Sequence, residues 1–452
     1  MILSRNARIG IAYLGLLVAT FASYFAIAGS GVFVYAAAAE LNGLDWLALI
    51  FTVENLFRGC MVPLSGRLGD KIGRKKLFLI AAVGYMVSSL ACASATDIVM
   101  FVVGRGAMGM MWGLYFANLM TMVTDMYDEA TSPKMTGYMM SVGFVAMIFS
   151  GTACGFLADM FSWRAIFYTL VPIVAVSWVL IAAFMPSDCQ KANKGISLDV
   201  VGAALTAVAF GCLALLLNLG GVAFPWLSLE SAGMVAIVAV AVALLVRCER
   251  SAQAPIFPGS ILGNKACMAC FAMAFFFAIG ATVGNYWPTY AQSFLGTSAT
   301  LAGALSLPSL IVSAIGASML GRHIAKKNTY KGTFVLWGVG SLFFGLLSLA
   351  FMGIVPIWFI FAVSAVAGIG QMVQQVAPFT FPASVLSRDL IPVGIAFMSF
   401  GQQLGTAIAN AVYGVVSNSL GFSAIFAVPV FAGAMVLALA LLYRDSHIRK
   451  TQ

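Results

Sequence analysis

The chain has 452 residues, of which 62% are apolar and 9% are charged, and its formal net charge is +9. A soluble domain carries roughly a quarter charged residues, and any folded protein exposes much of its surface, so a water-soluble core could not hide this many apolar side chains. The composition therefore excludes a cytosolic enzyme and a disordered protein, and it predicts a membrane protein.

Fourteen apolar runs follow one another between clusters of glycine, proline and charge. A helix that crosses a bilayer needs about 20 apolar residues, whereas strands of a membrane barrel are shorter and alternate in polarity. The sequence therefore predicts an all-α membrane protein with 14 transmembrane helices, the first of them retained rather than cleaved as a signal peptide. The spans lie near residues 10–36, 44–65, 77–95, 98–123, 135–157, 165–185, 199–219, 228–246, 266–290, 299–320, 332–352, 355–381, 391–416 and 421–443.

The positive charges indicate the orientation of these spans. With the N-terminus in the cytoplasm, 21 of the 24 Lys and Arg residues fall on the cytoplasmic side, Arg164 falls outside, and Arg58 and Arg105 fall within spans. Because cytoplasmic loops carry the excess of Lys and Arg, we expect a multi-pass protein of the cytoplasmic (plasma) membrane with both termini cytoplasmic. The net charge is then explained by membrane orientation, and no nucleic-acid partner is predicted.

Two parts of the chain share a pattern. Spans 2 and 10 both end in a Gly-Arg pair and a basic turn, at residues 66–76 and 321–327. Span 5 carries Gly151 and Gly155, a spacing that lets helix backbones approach closely and that span 13 repeats. The repetition predicts an N-terminal six-helix bundle at 1–190, two inserted transmembrane helices with linkers at 191–254 and a C-terminal six-helix bundle at 255–452.

The loop after span 2 sets Asp70 among five basic residues and between spaced glycines. Glycine permits a tight turn, and an acid in such a turn can pair with a base or with the N-terminus of a neighbouring helix. A contact that holds only when the cytoplasmic side is closed would bias one conformation. Gly66, Asp70, Gly73 and Arg74 are therefore predicted to form a conformational latch; plain orientation by positive charge is the alternative.

The same stretch resembles the G-x-L-x-D-x-x-G-R-K signature of the major facilitator superfamily. Other segments are similar to its fourteen-span drug:proton antiporter branch, including Arg105, residues 162–167 and residues 382–405. The resemblance covers most of the chain and implies the major facilitator fold, alternating access and a substrate cavity between two six-helix bundles. The fixed positions of the signature are Gly66, Leu68, Asp70, Gly73, Arg74 and Lys75.

Two segments depart from that branch. The stretch 150–155 of span 5 lacks the Gly-Pro pair that the branch usually has, and the stretch 28–32 of span 1 lacks its Asp. These departures count against proton-driven efflux and leave the expected fold unchanged. They keep open the uptake or exchange of a small organic anion.

Glu54, Arg58 and Arg105 are the charged residues that fall well inside spans. Ionisable groups are costly there and usually face a cavity or a partner. Glu54 and Arg58 share one helix face; either Glu54 carries a proton during transport and Arg58 tunes it, or the two form a permanent ion pair. The resemblance implies a proton relay or a cavity charge for Arg105, with hydrogen bonds to helix carbonyls as the alternative. Two arginines against one acid also allow an anionic substrate.

Polar side chains on otherwise apolar helices are candidates for the substrate cavity. In lipid such groups need partners, so they should face protein or water, and contact between helices is the alternative for each of them. They are Tyr115, Asn118, Asn285, Tyr286, Tyr290, Gln371, Gln374, Gln375, Gln402 and Gln403.

The sequence gives no support to an enzyme or a nucleotide-binding protein. Residues 104–109 match G-x-G-x-x-G, but inside an apolar run with no preceding strand, so close helix packing is the better interpretation. The sequence has no G-K-[ST] motif, no metal-ligand cluster and no nucleophile with a base, and we expect no catalytic residue, cofactor or metal.

The sequence predicts a secondary transporter in the lipid bilayer that exports small amphipathic compounds with the proton gradient as energy source. A non-transporting sensor or scaffold is a further alternative.

Overall fold

The computed structural model describes residues 4–128, 131–186, 259–327, 329–387 and 390–443, together with 227–251 and short pieces of 205–225. Helices form most of this part of the chain, and it contains no β-strand. Within the described residues, ten helices are long and apolar enough to cross a membrane, and an eleventh is counted if the bent pair Leu44–Val62 and Leu64–Ile72 is one span. The described part of the protein is therefore all-helical, as predicted, and the number of 14 spans stays a prediction.

The first six helices match the first six predicted spans. Asp97 and Ser162 begin two of them by accepting hydrogen bonds from the N–H groups of Met100 and Arg164, which the first turn of a helix leaves without partners. The helices are α1 Arg5–Glu40, α2 Leu47–Ile72, α3 Arg74–Ala93, α4 Ile98–Met126, α5 Ser132–Met160 and α6 Trp163–Phe184.

Ten further α-helices lie in the rest of the described chain, some of them segments of one broken span. The predicted span at 199–219 lies mostly outside the described residues, and each other predicted span contains a described helix. The helices are α7 Leu229–Ser251, α8 Gly259–Leu262, α9 Lys265–Ala281, α10 Trp287–Leu295, α11 Ala299–Ala304, α12 Leu307–Lys327, α13 Lys331–Ser348, α14 Ile357–Val385, α15 Ile391–Leu420 and α16 Val428–Leu442.

The chain forms two compact units, residues 1–211 with 298–303, and residues 212–297 with 304–452. In the first unit α2 packs on α4, α1 on α5 and α6, and α3 on α4 and α6. In the second unit α12 packs on α14, α9 on α15 and α16, and α13 on α14 and α16. The same five pairings therefore recur in helix order. The boundaries expected at 190 and 254 stay a prediction.

Residues 298–303 belong to the first unit because their backbone lies against α5. A Cβ on Gly151 would lie 2.2 Å from the carbonyl oxygen of Gly303, and a Cβ on Gly155 would lie 2.3 Å from that of Ala299. No side chain fits at either glycine. The spacing of these two residues therefore serves a close backbone approach, as it predicted.

One lysine in each unit binds the end of a helix. Lys75, in the first turn of α3, donates to the carbonyl of Met185 beyond α6 at 2.8 Å. Lys331, the first residue of α13, donates to the carbonyls of Ala440 and Leu441 at the end of α16, at 3.0 and 2.6 Å. The last carbonyls of a helix lack partners and carry partial negative charge, so a cation stabilises both ends.

Candidate functional site

The interface between α2 and α4 is close enough to join charged residues of the two helices. A Cβ on Gly109 would lie 2.3 Å from the carbonyl oxygen of Glu54, and a Cβ on Gly113 would lie 2.7 Å from that of Arg58. Glycine at these positions lets the two backbones touch. The glycines of span 4 therefore serve helix packing.

Arg105 on α4 forms an ion pair with Glu54 on α2. Its Nη2 donates to Oε2 of Glu54, and its guanidinium lies 5.2 Å from the ring centre of Phe33. Arg105 is fully buried and Glu54 is 7% exposed. Because an unpaired charge buried in a membrane helix is expensive, each residue is held by the other. The partner of Arg105 is thus a carboxylate rather than the helix carbonyls considered above.

Arg58 does not pair with Glu54, contrary to one of the two interpretations of their spacing. Its Nη2 donates to Oδ1 of Asn55, and its guanidinium lies 5.0 Å from the ring centre of Trp112 on α4. The physical reason is competition, because Arg105 already occupies the carboxylate from the facing helix. Arg58 is 6% exposed and therefore keeps its charge away from water without a carboxylate partner.

The residues predicted as a latch lie in the last turns of α2, at Gly73 and at the start of α3. Asp70 accepts from Nε and Nη2 of Arg74 at 3.1 and 2.7 Å, and Arg74 donates from Nη1 to Asp125 at the end of α4 at 2.7 Å. The structure therefore ties this turn to α4 through Arg74. Asp70, near the end of α2, thus pairs with Arg74, the first residue of the neighbouring helix α3.

The expected loop is also shorter than the sequence indicated. Gly66 and Asp70 lie within α2, which continues to Ile72, and a Cβ on Gly66 would meet nothing within 4 Å. Only Gly73 makes the turn, with a φ of +95° that side chains rarely adopt. The latch itself stays a prediction.

Two candidates for the substrate cavity lie on α4. The hydroxyl of Tyr115 is 2.6 Å from that of Ser23 on α1, and the amide of Asn118 donates to the carbonyl of Leu114 at 3.0 Å. Oδ1 of Asn118 is buried without a hydrogen-bond partner among the described residues. Tyr115 therefore joins helices, whereas Asn118 keeps a free acceptor.

Two candidates of the second unit are bound within it. The hydroxyl of Tyr286 lies 3.5 Å from Oδ1 of Asn410 on α15. The hydroxyl of Tyr290 donates to the carbonyl of Gly353 at 2.6 Å and accepts from the N–H of Val355 at 3.1 Å, so it holds the turn before α14. These contacts stabilise the unit.

The glutamines are the more open candidates. Gln402 on α15 donates to the backbone carbonyl of Gln374 on α14 at 3.3 Å, and Oε1 of Gln374 has no partner in the described part of the chain. The structure thus brings these two residues together. Four further candidates are partly buried, namely Asn285, Gln371, Gln375 and Gln403.

Sequence reasoning missed several partners of the charged residues. Trp112 lies seven residues after Arg105, two turns along one face of α4, and Asn55 lies three residues before Arg58 on one face of α2. Both positions could have been found by extending each charged face. Asp125 gave no signal, since its pairing with Arg74 depends on where α4 ends.

Residues 16–409 match the family model described as Major Facilitator Superfamily. The chain belongs to the major facilitator superfamily. A curated relative is the multidrug transporter protein MdtP of Bacillus subtilis (strain 168), 23% identical over 386 residues, which cover 84% of this chain and 70% of that protein. Multidrug resistance protein 3 of the same organism is 27% identical over 317 residues, and the match covers 70% of this chain and 61% of that protein. This chain therefore spans about three fifths of that second relative.

Efflux pump mlcE of Penicillium citrinum is 26% identical over 402 residues, which cover 83% of this chain and 71% of the pump. The names of these relatives describe a multidrug transporter, a multidrug resistance protein and an efflux pump, and none of them describes an enzyme. They confirm the resemblance to the drug:proton antiporter branch.

Solved structures share the fold. A crystal structure of the peptide transporter POT in complex with sulfate has a TM-score of 0.72 at 15% identity, covering 97% of this chain and 98% of that one. A POT family transporter in complex with 5-aminolevulinic acid also has a TM-score of 0.72 at 15% identity, covering 96% and 94%. The chain therefore has the major facilitator fold.

Proposed function

We propose that this major facilitator transporter exports small amphipathic organic compounds by alternating access, in antiport with protons. The observation that carries the proposal is the buried ion pair of Glu54 and Arg105. Glu54 is the carboxylate that the sequence places deep within a span, so it is the group able to carry a proton there. The multidrug and efflux names of the relatives favour this cargo.

The chemistry of the pair supplies a two-state element. A proton on Glu54 removes its negative charge and leaves Arg105 without a counter-charge. Because a lone guanidinium is costly in a membrane interior, protonation favours a different arrangement of α2 and α4. Loss of the proton on the other side of the membrane restores the pair. The proton gradient thereby shifts the population of two conformations.

The proposal includes the finer topology. Fourteen helices would cross the plasma membrane. Six form the bundle at 1–190, six form the bundle at 255–452, and two are inserted between the bundles. With both termini cytoplasmic, 21 of the 24 Lys and Arg residues lie on the favoured side. Reporter fusions at each predicted loop would test this arrangement.

The cavity is proposed to be lined by the tyrosines and amides named above. Tyr115 and Tyr290 have their hydroxyls bound inside the protein, so these two would meet substrate through their rings. The glutamines and Asn118 would offer hydrogen bonds. Aromatic faces and a few amides suit amphipathic molecules, since they contact apolar groups and fix polar ones.

Uptake or exchange of a small organic anion is the second candidate. It is favoured by Arg58, which is 6% exposed and binds an amide and an indole ring rather than a carboxylate. An arginine in this state can receive a carboxylate from a substrate.

Flux through proteoliposomes with an imposed pH gradient separates the candidates. Ethidium, an amphipathic cation, and benzoate, a small organic anion, serve as the transported probes. Export of ethidium that dissipates the pH gradient supports the first candidate. Benzoate exchange that ignores the gradient supports the second. No flux of either probe would support the third alternative, a non-transporting sensor or scaffold with this fold.

A further inference from the structure

Four hydrogen-bond donors around the Glu54–Arg105 pair have no acceptor among the residues that the structure describes. All four side chains are at most 7% exposed. A buried donor without an acceptor costs free energy, so native proteins rarely leave one. The donors are Nε of Arg58, Nε of Arg105, Nε1 of Trp112 and the hydroxyl of Tyr85. This part of the first unit therefore offers several buried donors to an acceptor.

The charges of the same cluster are also unequal. Two guanidiniums, of Arg58 and Arg105, face one carboxylate, of Glu54, and the ion pair uses that carboxylate for Arg105. Asn55 and Trp112, which contact Arg58, carry no negative charge. One positive charge is therefore left over in a region where an unbalanced charge is expensive.

We propose that Arg58 and Trp112 form a binding site for one small monovalent anion, a halide or a carboxylate. The guanidinium of Arg58 lies 5.0 Å from the ring centre of Trp112, and each of the two side chains has a buried N–H group without an acceptor in the described residues. An arginine fork and an indole N–H both donate and cannot accept, which selects a ligand that only accepts. A single negative charge then makes the cluster neutral.

This site goes beyond export, because it binds an anion whether or not the protein carries drugs. Two sources share the chemistry. A halide from the medium would act as a resident counter-ion, whereas a carboxylate would belong to a transported compound.

The test measures the melting temperature of the purified full-length protein in detergent at constant ionic strength. Chloride, bromide or acetate replaces isethionate, a bulky sulfonate. Trp112→Phe keeps the ring and removes only the N–H. The matched control is Trp178→Phe, since the N–H of Trp178 already donates to the carbonyl of Leu79 at 3.1 Å.

We expect chloride or acetate to raise the melting temperature of the wild type with a saturable dependence. Trp112→Phe should weaken the apparent affinity about tenfold, the loss of one hydrogen bond to a charged ligand, and Trp178→Phe should leave it unchanged. A response to halides assigns the site to an inorganic anion, and a response to acetate alone assigns it to a substrate carboxylate.

The site is refuted if all three ions behave like isethionate, or if the two tryptophan variants respond alike. Export without an anion effect would remove this site and leave the transport proposal standing. Anion binding without export would remove the transport proposal and leave this site standing.

Discussion

Glu54 on α2 and Arg105 on α4 form a buried ion pair beside Gly109, where a Cβ would lie 2.3 Å from the carbonyl oxygen of Glu54. The glycine lies four residues after the arginine, on the same face of α4. It lets the backbones touch, and the side chains of Glu54 and Arg105 then reach each other. The packing of the two helices and the position of the charge pair therefore depend on one another.

Gly109→Ala should destabilise the protein. The added methyl group would meet backbone rather than a flexible side chain, so α2 and α4 must separate, at a cost of about 1–3 kcal/mol. Thermal unfolding in detergent measures the change. Gly137→Ala is the control, because a Cβ on Gly137 meets nothing within 4 Å, and alanine there should be neutral or stabilise the helix by up to about 1 kcal/mol. Equal effects of the two variants would contradict the close approach.

The sequence predicts helices well because each apolar run carries its own signal. The C-terminal end of α2 is harder to predict, because Gly66 and Asp70 are typical of a loop whereas the helix continues to Ile72. The pair of Asp70 and Arg74, four residues apart, holds the chain compact across this end.

The sequence does not predict which side chains of different helices contact each other. Helical spacing brings Arg58 to the face of Glu54, but Arg105, 51 residues away, takes the carboxylate. The contact of Tyr290 with Gly353 joins residues 63 apart. Such contacts depend on packing register, which no local pattern contains.

Lys331→Met should lower the free energy of unfolding by about 1–2 kcal/mol, because the carbonyls at the end of α16 lose a charged donor. Chemical or thermal unfolding checks this. Lys265→Met is the matched control, since Lys265 is also the first residue of a helix of the second unit and its side chain is exposed. Equal losses for the two lysines would rule out the stabilising contact.

Tyr290→Phe should lower the melting temperature and leave the KM for exported substrate unchanged. The hydroxyl holds Gly353 and Val355, and its loss leaves a carbonyl and an N–H without a partner, at a cost of about 1–3 kcal/mol. The ring remains for substrate contact. A raised KM with an unchanged melting temperature would instead place the hydroxyl in the substrate site.

Asp70→Asn should change conformation more than stability. The side chains of Asp70 and Arg74 are 37% and 25% exposed, and an exposed ion pair contributes only about 0–1 kcal/mol. Loosening the α2–α3 turn should nevertheless make a cysteine introduced into the cavity more reactive toward a reagent added from the cytoplasmic side. An unshifted labelling pattern would remove Asp70 from the latch, and Asp125→Asn should match Asp70→Asn if Arg74 joins them.

The most direct test of proton-coupled export is the pH inside proteoliposomes when substrate is added, for the wild type and for Glu54→Gln. The account predicts that substrate makes the wild type dissipate an imposed pH gradient, and that Glu54→Gln abolishes this while substrate binding stays within about twofold, since Gln keeps the shape of Glu and cannot carry the proton. Glu40→Gln is the control, because Glu40 pairs with Arg164 at the end of α1 with half its side chain exposed. Unchanged proton movement in Glu54→Gln would contradict the account.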